Sequence, residues 1–280
     1  MRTFNTGVEL LIGWQEINRG RVNEAREAAH ELMRHGRSID DPRSIGLGLG
    51  LLSWIAYFAD SYVEALEYSE QPLAFAITPF DRYVPMVVKG CALVLLRRTE
   101  EGSIVLKEAR SHFADDGCFY VVTAVDPALG VCRVLCGDIG NGIHMLEELI
   151  LQEEGKGHRI GADVTRIFLS EILLQIVSQN ERVPLTTLAK NLLTLLKVML
   201  TGSSRITALI ASVMDNPQLD REAPFIGRAQ MILGLLYKAK KKRALALQHL
   251  TEAKRIFSQF GQSPILARVE TALGELGQQV

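Results

Sequence analysis

The sequence is short of cysteine, of net charge and of long apolar runs, and each shortage excludes a class of protein. Four cysteines in 280 residues cannot make a disulfide scaffold, so reduced thiols are expected. The 31 basic and 32 acidic side chains leave a net charge of -1, which gives no global attraction for nucleic acid. The longest apolar stretches, around Met86–Leu96 and Leu192–Leu200, are broken by Lys89 and Lys197. They fall short of the roughly 18 residues that a membrane span requires. The opening MRTFNTGVEL lacks the basic, apolar and small-residue sections of a signal peptide. A phosphate loop is missing as well: Gly155-Lys156 has Ile150 where the first glycine must stand and Gly157 in place of Ser or Thr. The expectation is a cytoplasmic protein with no nucleic-acid or membrane partner and no cofactor.

What is present is helix. Hydrophobic residues make up 48% of the chain, enough for a sizeable core. Nearly all follow helical periodicity, while strand-like alternation is scarce. One spacing recurs: two small residues twelve positions apart. The pairs are Gly13 and Ala25, Ser53 and Ala65, Gly90 and Gly102, Gly130 and Gly142, and Gly234 and Ala246. Two antiparallel helices joined by a short turn cross closely, and only Gly, Ala or Ser lets their backbones approach at the crossing. Seven residues after each first member the chain should turn. Those positions hold Gly20, Asp60, Arg97, Gly137 and Lys241, all polar or glycine. The last unit adds Leu233-Gly234, Tyr237, Ala246 and Ala253, the tetratricopeptide pattern, with Leu250 where an aromatic is usual.

This reading predicts an all-α fold: a right-handed α-solenoid of about six TPR-like (tetratricopeptide-like) helical hairpins with a C-terminal capping helix. It forms a single domain over 1–280. Regular hairpins occupy 5–153, an irregular pair plus an inserted helix occupies 159–216, and the last TPR-like unit and its cap occupy 226–277.

The basic run Lys238, Lys240, Lys241, Lys242 and Arg243 falls on a turn of this array, so it reads as a solvated turn rather than a nucleic-acid patch. Gly46, Gly48 and Gly50 lie among Leu and Ile inside a helix, which suits close packing better than a phosphate cradle. Cys132 and Cys136 share a helix face but have no neighbouring ligand, and with Cys91 and Cys118 they read as small buried hydrophobes. The six histidines are scattered without a nucleophile at a catalytic spacing, and Glu147, Glu148, Glu153 and Glu154 read as a solvated face. No catalytic or metal residue is expected.

The aromatic residues mark the candidate binding surface. Trp14 follows Gly13 and Trp54 follows Ser53, one position in two successive units. Ile17, Tyr57, Phe58, Cys91 and Val131 extend the set. First helices of stacked hairpins line the concave side of such arrays, so this stripe could form an open groove for a peptide segment. A tight superhelix would instead bury it.

The tail IGRAQMILGLLYKAKKKRALALQHLTEAKRIFSQFGQSPILARVETALGEL resembles the C-terminal repeat region of bacterial class III adenylate/guanylate cyclase-type signalling proteins. TPFDR (78–82), GADVTRIFLSEILLQI (161–176) and DNPQLD (215–220) add to the likeness. Those proteins carry a cyclase domain, an AAA-type ATPase module and a long tetratricopeptide-like region, and the resemblance covers only the last. It implies a non-enzymatic regulatory or protein-interaction module, whose partner is a protein or peptide segment, such as a cyclase or ATPase region. The alternative is a small-effector-sensing domain regulating such an enzyme.

Overall fold

The computed structural model describes residues 6–115, 119–178 and 185–278. Among them there are thirteen α-helices and no strand: α1 Thr6–Asn18, α2 Val22–Ile39, α3 Pro42–Phe58, α4 Tyr62–Glu70, α5 Pro79–Leu95, α6 Thr99–Asp115, α7 Phe119–Leu135, α8 Ile139–Gly155, α9 Arg159–Ser178, α10 Leu185–Met214, α11 Pro224–Ala239, α12 Arg243–Phe257 and α13 Pro264–Gly277. The fold is all-α, as the periodicity requires.

The five positions marked as turns all adopt a left-handed backbone. Their φ values are 73° at Gly20, 59° at Asp60, 65° at Arg97, 83° at Gly137 and 57° at Lys241. Each closes its helix in the same way. At the first turn the Gly20 N–H donates to the Ile17 carbonyl (3.0 Å) and the Arg21 N–H to that of Glu16 (2.9 Å). These are the paired bonds of a Schellman closure, which satisfy the last carbonyls of the helix. A sixth turn of this kind, at Gly157 with φ 75°, joins α8 to α9. The small-residue spacing misses it because Ile150 stands seven residues upstream, where the other units have Gly or Ser.

The crossings are as tight as the spacing demands in two of the pairs. A methyl group built on Gly102 would lie 2.9 Å from the Gly90 carbonyl oxygen, and one on Gly142 would lie 3.0 Å from that of Gly130. Gly90, Gly130 and Gly234 share a further contact, since a methyl on each would press on Leu106, Leu146 and Leu250 respectively. Those leucines all stand sixteen positions later, a regularity the twelve-residue rule does not contain. Gly13 departs from the rule: its nearest neighbour is Leu51 of α3 rather than α2. Its small size therefore serves the packing of successive first helices.

Where the sequence reads as one continuous domain, contacts group the chain into two compact units. The first holds 1–125 with 220–224 and 256–267, and the second holds 126–219, 225–255 and 268–280. Within the first unit, C-terminal segments return to the N-terminal hairpins. The Ile265 N–H donates to the Ala59 carbonyl at 3.2 Å, and a methyl on Gly20 would lie 1.9 Å from the Glu222 carbonyl oxygen. An array in which each hairpin touches only its neighbours would not join residues so far apart in sequence.

The second unit corrects the expected inserted helix. Residues 201–214 are not a separate element; they continue α10, which runs unbroken for 30 residues. The Thr201 and Thr207 hydroxyls donate back to the carbonyls four residues earlier (2.8 and 3.0 Å), so these polar residues stay inside the helix. Gly202 is a contact with α9, 2.8 Å from a Val177 methyl for an added Cβ, rather than a break. The continuity also corrects the expectation that the apolar stretches are too short: Thr186–Met214 is long and apolar enough to cross a membrane by length and composition, and 28% of its most apolar window is buried within the chain.

Candidate functional site

Six of the seven residues proposed for a groove are core. Ile17 is wholly buried, and Trp54, Tyr57, Phe58, Cys91 and Val131 are also buried. The open stripe is therefore absent at those positions, and the burying alternative holds for them. Trp14 and Trp54 do meet as equivalents in successive hairpins, with ring centroids 4.9 Å apart. Tyr57 and Phe58 extend this cluster. The Trp54 indole N–H is buried with no acceptor among the described residues, so packing rather than hydrogen bonding holds the cluster. Burial also removes Cys91 from thiolate chemistry, pushing its thiol up to about 12.

Trp14 alone of the seven stays partly exposed. It opens onto a small cleft in the first unit, lined by Leu10 and Trp14 of α1, Arg43, Gly46, Gly50 and Trp54 of α3, Phe75, and Phe80, Asp81 and Pro85 of α5. The spacing of Arg43, Gly46, Gly50 and Trp54 sets all four on one face of α3. The helices that bring these residues together are capped by their own sequence. Asp41 caps α3 by accepting from the Arg43 and Ser44 N–H groups at 3.1 and 3.3 Å, and Pro42 fits the first helical position. Thr78 and Asp81 form a reciprocal capping box on α5.

The cleft encloses about 30 Å³, room for a water molecule or the tip of one side chain. Its one charged feature is the Arg43–Asp81 pair, in which Nε donates to both carboxylate oxygens at 3.1 and 2.9 Å. The Asp81 side chain is 5% exposed and that of Arg43 is 43% exposed, so the guanidinium edge faces solvent. Burial pushes the Asp81 carboxyl up, but hydrogen bonds from Arg43 and Thr78 outweigh it and hold it below the ordinary range. Phe80, 40% exposed, stands at the mouth.

The sequence stretches that carry the family resemblance turn out to be fasteners. TPFDR supplies the Thr78–Asp81 cap and the partner of Arg43. In the second unit Asp163 and Arg166 of GADVTRIF are both buried, with Arg166 Nη1 donating to Asp163 Oδ1 at 2.7 Å. Asn216 of DNPQLD donates to Asp163 Oδ2 at 2.6 Å, so the second stretch is tied to the third. Arg228 reaches Glu171 at 3.1 Å. These residues hold elements in register rather than face a cavity. Asn191 does the same for α10: its Nδ2 donates to the Gly137 carbonyl (2.9 Å) and its Oδ1 accepts from the Gly140 N–H (3.1 Å). The only signal for Asn191 in the sequence is a lone amide in an apolar helix.

The other candidates divide between surface and core. Lys240, Lys241, Lys242 and Arg243 are exposed on the α11–α12 turn, as expected, and Lys238 pairs with Glu275 of α13. Gly48 packs on α2, where an added Cβ would lie 2.5 Å from the Ala29 carbonyl oxygen, whereas Gly50 has open space. Cys132 is buried, but Cys136 is exposed beside the Gly137 turn, which corrects its reading as core; Cys118 lies outside the described residues. Glu147, Glu148 and Glu154 lie at the surface paired with Arg205, His144 and Arg166 respectively, whereas Glu153 is buried beside Lys156 and His158, which corrects its reading as part of a solvated face. His249 stacks on Tyr237, and its burial lowers the imidazole pKa. Among the described residues no group of three or more His, Cys, Asp or Glu side chains could hold a metal ion. Comparison of the chain with models of known protein families gives no match, and comparison with curated proteins gives none either.

Proposed function

We propose that this chain is a non-enzymatic protein-interaction module built of TPR-like helical hairpins, with a regulatory role in a bacterial signalling protein. The architectural part is supported by the one turn geometry used six times and by the repeated glycine–leucine contacts at the crossings. The regulatory part is supported by the resemblance to the repeat region of cyclase and ATPase signalling proteins, and a cytoplasmic location follows from the same reading. Its partner is a protein or peptide segment, such as a cyclase or ATPase region.

A single observation carries the binding role. Trp14, Phe80 and the free edge of Arg43 converge on one cleft whose floor is rigid aromatic core. Exposed aromatic surface beside a guanidinium suits a segment with an apolar anchor and a nearby carboxylate. The cleft is far below the roughly 300–1,000 Å³ typical of small-molecule sites, which weighs against the effector-sensing alternative.

Selection of random twelve-residue peptides on the immobilised chain tests this reading. Enriched sequences should share an aromatic or branched apolar residue near Asp or Glu. Their affinity should fall about tenfold or more with Phe80→Ser, matching the roughly 1.4 kcal/mol expected of a modest anchor. No enrichment, or binders indifferent to both Phe80→Ser and Trp14→Ser, would overturn it.

A further inference from the structure

The longest helix carries an apolar face that the described residues leave uncovered. On α10, Leu193 and Leu200 are 83% and 85% exposed, and Leu192, Leu196 and Met199 are 54%, 48% and 49% exposed. Its opposite face is firmly seated, with Asn191, Leu195 and Val198 buried, and the exposed face itself ends at Ile206 and Ile210, which are buried again. The exposed seam runs Ala189, Leu193, Leu196, Leu200, Ser203 and Thr207, alternating steps of four and three residues. That is the heptad spacing by which one helix packs along another.

We propose that this face of α10 is the interface of a homodimer, with a second copy of the chain packed antiparallel across it. Three features select a second copy. First, the area fits. Together with Leu188, these five side chains expose roughly three and a half complete leucine equivalents, on the order of 500 Å² of apolar surface per copy, at the upper end of monomer patches and most of the about 800 Å² per partner of a standard interface.

Second, the pattern is self-complementary. Leu193 and Leu200 lie three and four residues either side of Leu196, so a two-fold axis through Leu196 sets Leu193 of one copy against Leu200 of the other. Contacts of this reciprocal kind define an isologous dimer.

Third, the charge suits a copy and not a lipid surface. The 30 residues of α10 contain no Asp or Glu, and two of their three cations are engaged within the chain. Lys190 lies 3.5 Å from Asp138 and Arg205 pairs with Glu147. The exposed Lys197 lies at one edge of the seam, where its like-charged copy adds a small repulsion that salt screens. An anionic membrane would meet few free cations and, on the adjoining α8, the partly exposed carboxylates of Glu147 and Glu148. Spanning a bilayer would tear Asn191 and Arg205 from their partners on α8 and the turn before it.

Sedimentation equilibrium of the full chain provides the test. The parent should dimerise in the low-micromolar range, with association unchanged or tighter at higher salt. Leu193→Glu with Leu200→Glu places carboxylates against each other across the axis and should weaken association about a hundredfold or more. As a second variant, Leu196→Cys under glutathione disulfide should give a covalent dimer that the parent does not form. The glutathione disulfide accepts the two electrons and is released as two thiols. A parent that stays monomeric at about 100 μM, far above that range, would overturn the proposal. So would a dimer that survives the double Glu variant, a Leu196→Cys chain that does not cross-link, or a monomer that floats with phosphatidylserine vesicles through the same leucines.

Discussion

Trp54 on α3 and Leu200 on α10 are both large apolar side chains on helical faces, yet one is 8% exposed and the other 85%. The difference lies in the company each helix keeps. α3 touches α1, α2, α4 and α5, whereas the packing of α10 is against α9 and, more lightly, α8. Two of its three glycines help α3 accept so many neighbours. Gly48 lets α2 approach to backbone contact, Gly46 meets Phe75, and only Gly50 is left facing open space. α10 has a single such residue, Gly202, on the side already covered by α9. Apolar periodicity marks a face that wants cover; the count of neighbouring elements decides whether the chain supplies it.

The comparison predicts its largest effect at Trp54. Trp54→Ala removes a ring that touches Trp14, Tyr57 and Phe58, and should destabilise the protein by about 3–5 kcal/mol. Urea unfolding followed by circular dichroism would register it as a lower midpoint at unchanged slope. A loss under about 1 kcal/mol would mean that this cluster is not the core it resembles.

The glycines of α3 sharpen the point within one helix. Gly48→Ala forces a methyl against the Ala29 carbonyl and should cost about 1–3 kcal/mol by overpacking. Gly50→Ala meets nothing within 4 Å and should stabilise by up to about 1 kcal/mol through helix propensity. Opposite signs two residues apart would be read directly from the two denaturation midpoints. Equal signs would contradict the packing of α3.

Much of this was legible in the sequence, and the remainder has a physical reason for being hidden. Small residues must stand where helices cross, and turns must leave the right-handed region, so the Gly90–Gly102 and Gly130–Gly142 crossings and all five marked turns could be read from spacing alone. Ile150 concealed the sixth turn because the α8–α9 connection keeps the left-handed glycine without the small crossing residue. The aromatic stripe showed which residues share a position but not whether they face a groove, because burial of α3 depends on how closely α1, α2, α4 and α5 pack around it, which periodicity within one helix does not reveal. The return of residues 256–267 to the first unit has no local signature at all, since it rests on contacts such as Ile265 to Ala59. Arg43 and Asp81 were missed as a pair because they are separated by 38 residues, and the TPFDR stretch that holds Asp81 gives no sign of its partner.

That pair gives a pH prediction. The Asp81 carboxyl is held below its ordinary value in the folded protein, so its stabilising effect is fully present above the unfolded value of about 3.9 and is lost as pH falls through the folded value. Asp81→Asn should therefore cost about 1–3 kcal/mol at neutral pH, as expected for a hydrogen-bonded buried carboxylate, and progressively less below about pH 4. Parallel stability curves for parent and variant across that range would show that the carboxylate charge is not what Arg43 recognises.

The smallest expected effect lies at the other end of the comparison. Gln matches Leu closely in helix propensity, so Leu200→Gln changes α10 only through what Leu200 touches. At 85% exposure it touches little of its own chain. In a dilute sample, where the chain is monomeric, the unfolding midpoint should stay within about 0.5 kcal/mol of the parent. Raising the protein concentration should then separate the two, because a dimer that forms only from folded chains stabilises the parent by mass action and leaves the variant behind. Two results would break the contrast with Trp54. A loss of about 2 kcal/mol or more in the dilute sample would mean that Leu200 is buried within its own chain, since losses of that size come from core positions. Midpoints that coincide at every concentration would leave the leucine face exposed but without a second copy to cover it.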